Sequence, residues 1–263
     1  MSAGPRHRGK GYRAERIEKM NEFSREEMLI GTDGMEVLAR SQVAVFGLGG
    51  VGSHAAEALA RGGVGKLFLA DHDTVSLTNL NRQIIALHST VGRGKAQVMK
   101  ERIRDICPET EVTLCETFVL PENLAEVMSQ AGPVDFILDA IDTVSSKLAL
   151  AAYAKEHSIP IISAMGTGNK LYPELFRISD ISQTRVCPLC RVMRRELKSR
   201  NLDRLTVCWS PEQPIRPSAA AEGDKTKMRA TPGSVSFVPP AAGLLMAGYV
   251  IRRLCGLEAD ISR

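Results

Sequence analysis

VFGLGGVGSHAAEALARGGVGKLFLADHDTVSLTNLNRQ, running from Val45 to Gln83, joins a glycine-rich turn to two apolar runs and closes on an arginine. The run Gln42 to Phe46 leading into it is short and Val-rich, the signature of a buried strand. The stretch Gly52 to Arg61 has helical character and small residues that allow close packing on a sheet. A second apolar run, Lys66 to Ala70, ends at Asp71. Strand, helix and strand follow at the spacing a parallel pair requires. Outward from this unit the alternation continues. Helices are predicted over Lys95 to Ile106 and Ser145 to Glu156, and extended segments over Val112 to Cys115, Asp135 to Ala140 and Ile159 to Ala164. The expected fold class is α/β, a doubly wound, Rossmann-like and mostly parallel sheet with an elaborated C-terminal part.

After Ser179 the pattern changes to a short helix, Pro188 to Leu197, a strand, Leu205 to Trp209, and a loop from Ser210 to Ser234 rich in proline and glycine. A loop of that length is expected to be a lid, a binding segment or a mobile stretch. A final apolar helix lies within Ala241 to Leu254. It is too short to span a membrane comfortably and closes on Arg252 and Arg253, so burial against the sheet or a dimer partner is expected over membrane contact.

The chain has 263 residues, 44% of them hydrophobic, enough for one large domain. Residues 1 to 20 hold six Lys/Arg against two Glu, which accounts for the whole net charge of +4. They are basic without an apolar core, which excludes a secretory signal, and Glu15 and Glu18 count against a transit peptide. The six cysteines lack the dense spacing of a secreted disulfide scaffold, so a cytoplasmic location is expected.

Gly47, Gly49, Gly50 and Gly52 suit a turn that brings phosphate to the N–H groups of a helix N-terminus, where the helix dipole also favours an anion. A close-packed turn without ligand would use the same glycines; the flanking strand and helix favour the ligand. Asp71, ending the second strand, is placed for ribose hydroxyls, which both NAD and ATP offer. Arg82 and Lys95 separate the two. Hydride transfer needs neither, whereas pyrophosphate leaving an α-phosphorus requires cations and a magnesium ion that Asp142, beyond the strand ending at Ala140, can help hold.

Four ordered stretches, GLGGVGS (47–53), DHDTVSLTNLNRQ (71–83), VGRGK (91–95) and DAIDT (139–143), resemble the ThiF/MoeB/HesA superfamily, relatives of the ubiquitin-activating enzymes. The resemblance implies a carboxylate-adenylating enzyme. It puts Gly47, Gly49, Gly50, Gly52, Asp71, Asp73, Asn79 and Gln83 on ATP, with Asn79, Arg82 and Lys95 around the phosphates, and Asp142 toward magnesium. It also implies a homodimer in which Arg25, in FSREEMLIG, enters the partner's site, with Arg16 and Arg40 as alternatives. The implied organisation is a basic flexible arm over 1–22, an ATP-binding adenylation core over 23–180, and a C-terminal part of the same domain over 181–263 with a mobile loop about 210–234.

From about Phe23 to Leu254 the resemblance is strongest to the branch that cyclises threonylcarbamoyladenosine in tRNA, which also implies a cysteine desulfurase or sulfur-acceptor protein as a further partner. The alternative is a branch that adenylates the C-terminal glycine of a sulfur-carrier protein. Those relatives commonly carry two CxxC pairs for zinc. This chain has one, Cys187 and Cys190, so zinc is not expected. For a tRNA substrate, Arg191, Arg194, Arg195 and Lys198 recur at i, i+3, i+4 and i+7 and predict a cationic helical stripe, for which a solvated helix face is the equal alternative.

Overall fold

The computed structural model describes residues 20–216 and 232–257. The basic arm up to residue 19 and the loop centre at 217–231 therefore lie outside the described residues.

Seven strands form one sheet in the order β3-β2-β1-β4-β5-β7-β6. They are β1 (Gln42–Phe46), β2 (Lys66–Ala70), β3 (Glu111–Cys115), β4 (Phe136–Asp139), β5 (Ile161–Ala164), β6 (Arg177–Asp180) and β7 (Thr206–Trp209). All neighbours are parallel except β6, which runs antiparallel to β7 at the edge. The central strands are apolar on both sides because helices cover both faces. Val43 and Val45 of β1, Leu67 and Leu69 of β2, and Phe136 and Leu138 of β4 enter one core. Ala44, Phe46, Phe68, Ala70 and Ile137 alternate into the opposite core. The two-residue period of the strand thus sorts one apolar run into two layers.

Helices α3 (Gly52–Arg61), α4 (Lys95–Ile106) and α8 (Val238–Leu254) cover the first face, and α5 (Leu124–Ala131) and α6 (Val144–Glu156) the second. The C-terminal helix packs on α3 through Val238, Ala242, Gly243, Met246, Ala247 and Val250. Gly243 permits this approach, since a β-carbon there would lie 2.3 Å from the Val51 carbonyl oxygen. Its other side leaves Leu244 and Leu245 exposed. No helix among the described residues is long and apolar enough to cross a membrane.

Two short helices precede β1 that the sequence patterns do not predict, α1 (Ser24–Ile30) and α2 (Thr32–Arg40). The first buries none of its residues, so it has no apolar periodicity to read. After β5 the chain turns through β6, enters α7 (Pro188–Lys198) and returns as β7 between β5 and β6. The ends of the 210–234 segment, expected to be mobile, are anchored. The Ile215 N–H donates to the Asn169 carbonyl at 2.8 Å, the Glu212 carboxylate accepts from the N–H groups of Leu171 and Tyr172, and Asn169 exchanges two hydrogen bonds with Gly233.

Candidate active site

A cavity of about 430 Å³ opens at the carboxyl ends of the strands, where β1 and β4 separate the two halves of the sheet. Gly47, Gly49 and Gly50 form its floor, Asp71, Asp73, Asn79, Arg82, Gln83 and Lys95 one wall, and Ile141, Asp142 and Thr143 another. The glycines differ in what they do. Gly47 has φ +86°, and a β-carbon there would strike the Ala140 carbonyl at 2.8 Å, so the turn demands glycine. Gly49 faces open space, with only Gln83 Nε2 near at 3.8 Å. Gly52 does not line the cavity. A β-carbon on it would sit 1.7 Å from the Gly47 carbonyl oxygen, so the side-chain position of Gly52 closes the turn onto α3.

Asp71 stands at the mouth with its Oδ2 accepting from Leu48 N–H at 2.6 Å and its Oδ1 from Asp73 N–H at 2.9 Å. These bonds fix the carboxylate and leave each oxygen a further acceptor site. Lys95, with its side chain 7% exposed, donates to Asp73 Oδ2 at 2.8 Å. The ammonium is thereby held at the cavity wall with donors to spare. Arg82 uses Nη1 on the Thr78 carbonyl and Asn81 Oδ1, both at 2.9 Å, two of the interactions its five N–H groups permit. Asn79 is chiefly architectural, since its Oδ1 caps the turn by accepting from Ser76 N–H. Gln83 is buried, and its Oε1 has no hydrogen-bond partner among the described residues. Such an orphan beside a cavity is a ready acceptor for a ligand donor. Among the described residues the exposed Asp142 carboxylate meets only the Thr143 hydroxyl, at 3.4 Å, which leaves oxygen ligands for a hard cation.

Behind this wall lies a buried ion pair. Lys147 Nζ donates to Asp139 Oδ2 at 2.9 Å with both side chains at 0% exposure, and Asp139 Oδ1 accepts from Ile141 N–H at 3.1 Å. The turn that presents Asp142 is tied to the sheet by these two bonds.

Arg25 is exposed and does not line the cavity. Its helix lies near the C-terminal end of α3, where Phe23 and Glu26 approach the Gly63 and Gly62 positions. Ten residues of α3 put that end roughly 15 Å along its axis from the glycine turn. The basic stripe on α7 also changes. Arg194 is half-buried and donates to the carbonyl and hydroxyl of Thr184, because it packs at the edge of the apolar face formed by Cys190, Met193 and Leu197. Arg194 is therefore withdrawn from the stripe. Arg195 pairs with Glu196 at 3.0 Å, and Arg191 and Lys198 remain exposed.

Sequence reading missed Thr117, Phe118, Thr167, Gly168, Pro232, Gly233, Ser234 and Pro239, which complete the cavity. Thr117, Phe118, Thr167 and Gly168 lie just beyond the ends of β3 and β5, so the rule that ligands bind there could have found them.

The pattern of the ThiF family matches residues 23–262. The chain belongs to the ThiF family. As a ThiF family member it is 43% identical over 243 residues to the tRNA threonylcarbamoyladenosine dehydratase of Bacillus subtilis, covering 89% of this chain and 95% of that protein. The dehydratase of the same name from Escherichia coli K12 is 44% identical over 65% of this chain and 63% of its own. A solved structure of the E. coli enzyme in complex with ATP superimposes with a TM-score of 0.80 at 34% identity, covering 89% of this chain and 94% of that one.

Proposed function

We infer that this chain is an ATP-dependent dehydratase that cyclises threonylcarbamoyladenosine in tRNA through a carboxyl adenylate. The observation that carries the reading is the 43% identity spanning 95% of the B. subtilis dehydratase. The substrate's carboxylate attacks the α-phosphorus of ATP and the bond to pyrophosphate breaks. A second group of the same side chain then closes onto the acyl carbon and expels AMP. Tethering gives the ring closure a high effective concentration and requires no transfer thiol. The Gly47–Gly50 turn and the start of α3 receive phosphate, Asp71 orients the ribose, and Arg82 and Lys95 neutralise charge as pyrophosphate departs. Gln83 Oε1 offers an acceptor to the bound nucleotide or substrate. The oxygen donors of Asp142 fit a magnesium ion, which when bound screens the phosphate charge.

Nucleoside analysis of tRNA bearing threonylcarbamoyladenosine tests the reading directly. Incubation with the protein and ATP removes one water mass from the modified nucleoside. Unchanged tRNA, with pyrophosphate release stimulated instead by a small sulfur-carrier protein, overturns it. The setting is the cytoplasm, where tRNA and ATP meet. A cysteine desulfurase or sulfur-acceptor protein is the further partner that the resemblance implies.

Three further results are expected. Asp142→Asn raises the magnesium concentration at half-maximal turnover, on the order of tenfold, as loss of a supporting ligand contact does. An unchanged magnesium titration leaves Asp142 a structural residue. Second, the protein is a homodimer whose partner supplies Arg25. In support, Met28 and Leu29 on the same helix are 71% and 87% exposed, an apolar face next to a cation that its own cavity does not use. Random mixing of Arg25→Ala and Lys95→Met subunits then gives about a quarter of wild-type activity, because half the dimers are mixed and each holds one intact site. A monomer in sedimentation, or no recovery on mixing, removes that role. Third, Arg191 and Lys198 contact tRNA phosphates. Their double replacement by alanine lowers the slope of log affinity against log salt by roughly one unit per lost contact. An unaltered slope makes that face merely solvated.

A further inference from the structure

The single CxxC motif is not used by the adenylation chemistry, yet its surroundings are built for a thiolate. Cys187 is the N-cap of α7 and Cys190 follows one turn later, so both sulfurs share one side of the helix start. Both are free thiols, buried at 2% and 0% exposure. No carboxylate, imidazole or further thiol joins them in a metal-binding group among the described residues. Two cations face the pair. Lys170, itself buried with its Nζ donating to the Glu212 carbonyl at 2.6 Å, has its pKa lowered by that burial but is drawn toward its charged form by both sulfurs and Glu212, and Arg194, held on Thr184, favours charge on Cys190.

The two thiols are unlike. The Cys187 thiol is held well below its ordinary range by the S–H of Cys190 and by the backbone N–H groups of Cys190, Gly166 and Leu189. Cys190 is pushed up by that same hydrogen bond to Cys187 and by burial. Elsewhere burial pushes the Cys208 thiol up to about 12 and raises Cys255 as well. A thiol made more acidic at a helix start, one turn from a second thiol, is the arrangement of an attacking and a resolving cysteine.

We propose that Cys187 and Cys190 form a reversible dithiol–disulfide site whose oxidant is a small hydroperoxide. The Cys187 thiolate attacks one peroxide oxygen, the O–O bond breaks, hydroxide leaves, and Cys187 becomes a sulfenic acid. The Cys190 sulfur then attacks the Cys187 sulfur, forming the S–S bond and breaking S–O. Its proton leaves with the departing oxygen as water. The two sulfurs together lose two electrons and the peroxide gains them. Burial selects the reagent, because hydrogen peroxide is close to water in size while bulky disulfides require the helix start to open. The site lies directly behind the cavity wall: Gly166, where a β-carbon would lie 3.6 Å from Cys187 Sγ, precedes the lining residues Thr167 and Gly168.

The test treats the reduced full-length protein with hydrogen peroxide and follows thiols and peptides, a readout independent of the tRNA reaction. Titratable thiols in denaturant fall by two, peptide mapping places the bond between Cys187 and Cys190, and dithiothreitol restores both. In Cys190→Ser, Cys187 is instead trapped as a sulfenic acid adduct of dimedone, and in Cys187→Ser neither product forms. Circular dichroism of both variants checks that they fold. Thiols that persist in the wild type, a bond involving Cys107, Cys115, Cys208 or Cys255, or one zinc ion per chain in the protein as purified would each overturn the proposal.

Discussion

Lys95→Met lowers ATP-dependent turnover by about 10²–10³-fold and leaves the fold intact, the size of effect seen when one preorganised donor to a developing charge is lost. The methionine keeps the buried stem and removes only the ammonium. The stability cost is small because the abandoned partner is exposed: Asp73 has a side chain 52% accessible to solvent, so water takes over from Lys95. A half-exposed pair of this kind contributes roughly 1 kcal/mol or less. The backbone N–H of Lys95 still donates to the Asp73 carbonyl, so the start of α4 remains placed. Pyrophosphate release and thermal melting, measured on the same preparation, separate the two effects. Turnover near the wild-type value would end the assignment of Lys95 to the phosphates, and a large fall in melting temperature would make it a folding residue.

Lys147→Met has the opposite profile, a loss of stability of about 3–5 kcal/mol, because it strands the Asp139 carboxylate in a site with no exposure at all. For a chain of this size that lowers the melting temperature by roughly 10 °C. Adding Asp139→Asn restores most of the loss, since the amide oxygen still accepts from Ile141 N–H while the buried charge disappears. Urea unfolding of the two single variants and the double variant measures the coupling. If the single variant costs less than ~1 kcal/mol, water reaches the pair and the buried description is wrong. The same pair supports the turn carrying Asp142, so the double variant, though stable, is expected to need a higher magnesium concentration for half-maximal turnover.

The contrast between these lysines shows where sequence reading runs out. Lys95 closes the motif VGRGK and Lys147 stands four residues beyond DAIDT, and nothing local tells the two lysines apart. Lys95 reaches a cavity and Lys147 a strand end, because α4 begins at the mouth of the sheet whereas α6 packs Lys147 back against β4. Gly49 and Gly52 divide in the same way, one open to the cavity and the other pressed on Gly47.

The sequence by itself determined the doubly wound sheet, the central strands to within a residue or two, and the group of Arg82, Lys95, Asp71 and Asp142. These are carried by local patterns: apolar runs of strand length, small residues on a helix, glycines at a turn, and acids and cations at strand ends. Only the tertiary structure decided that β6 is an antiparallel edge, that Arg194 is spent on Thr184, that Gln83 holds an orphan oxygen, and that Thr167, Gly168 and Pro232–Ser234 close the cavity. Each of these depends on contacts between residues distant in the chain. A hydrogen bond such as Gly233 N–H to Asn169 Oδ1, 64 residues apart, exists only once the sheet has brought its partners together, and no local propensity encodes it.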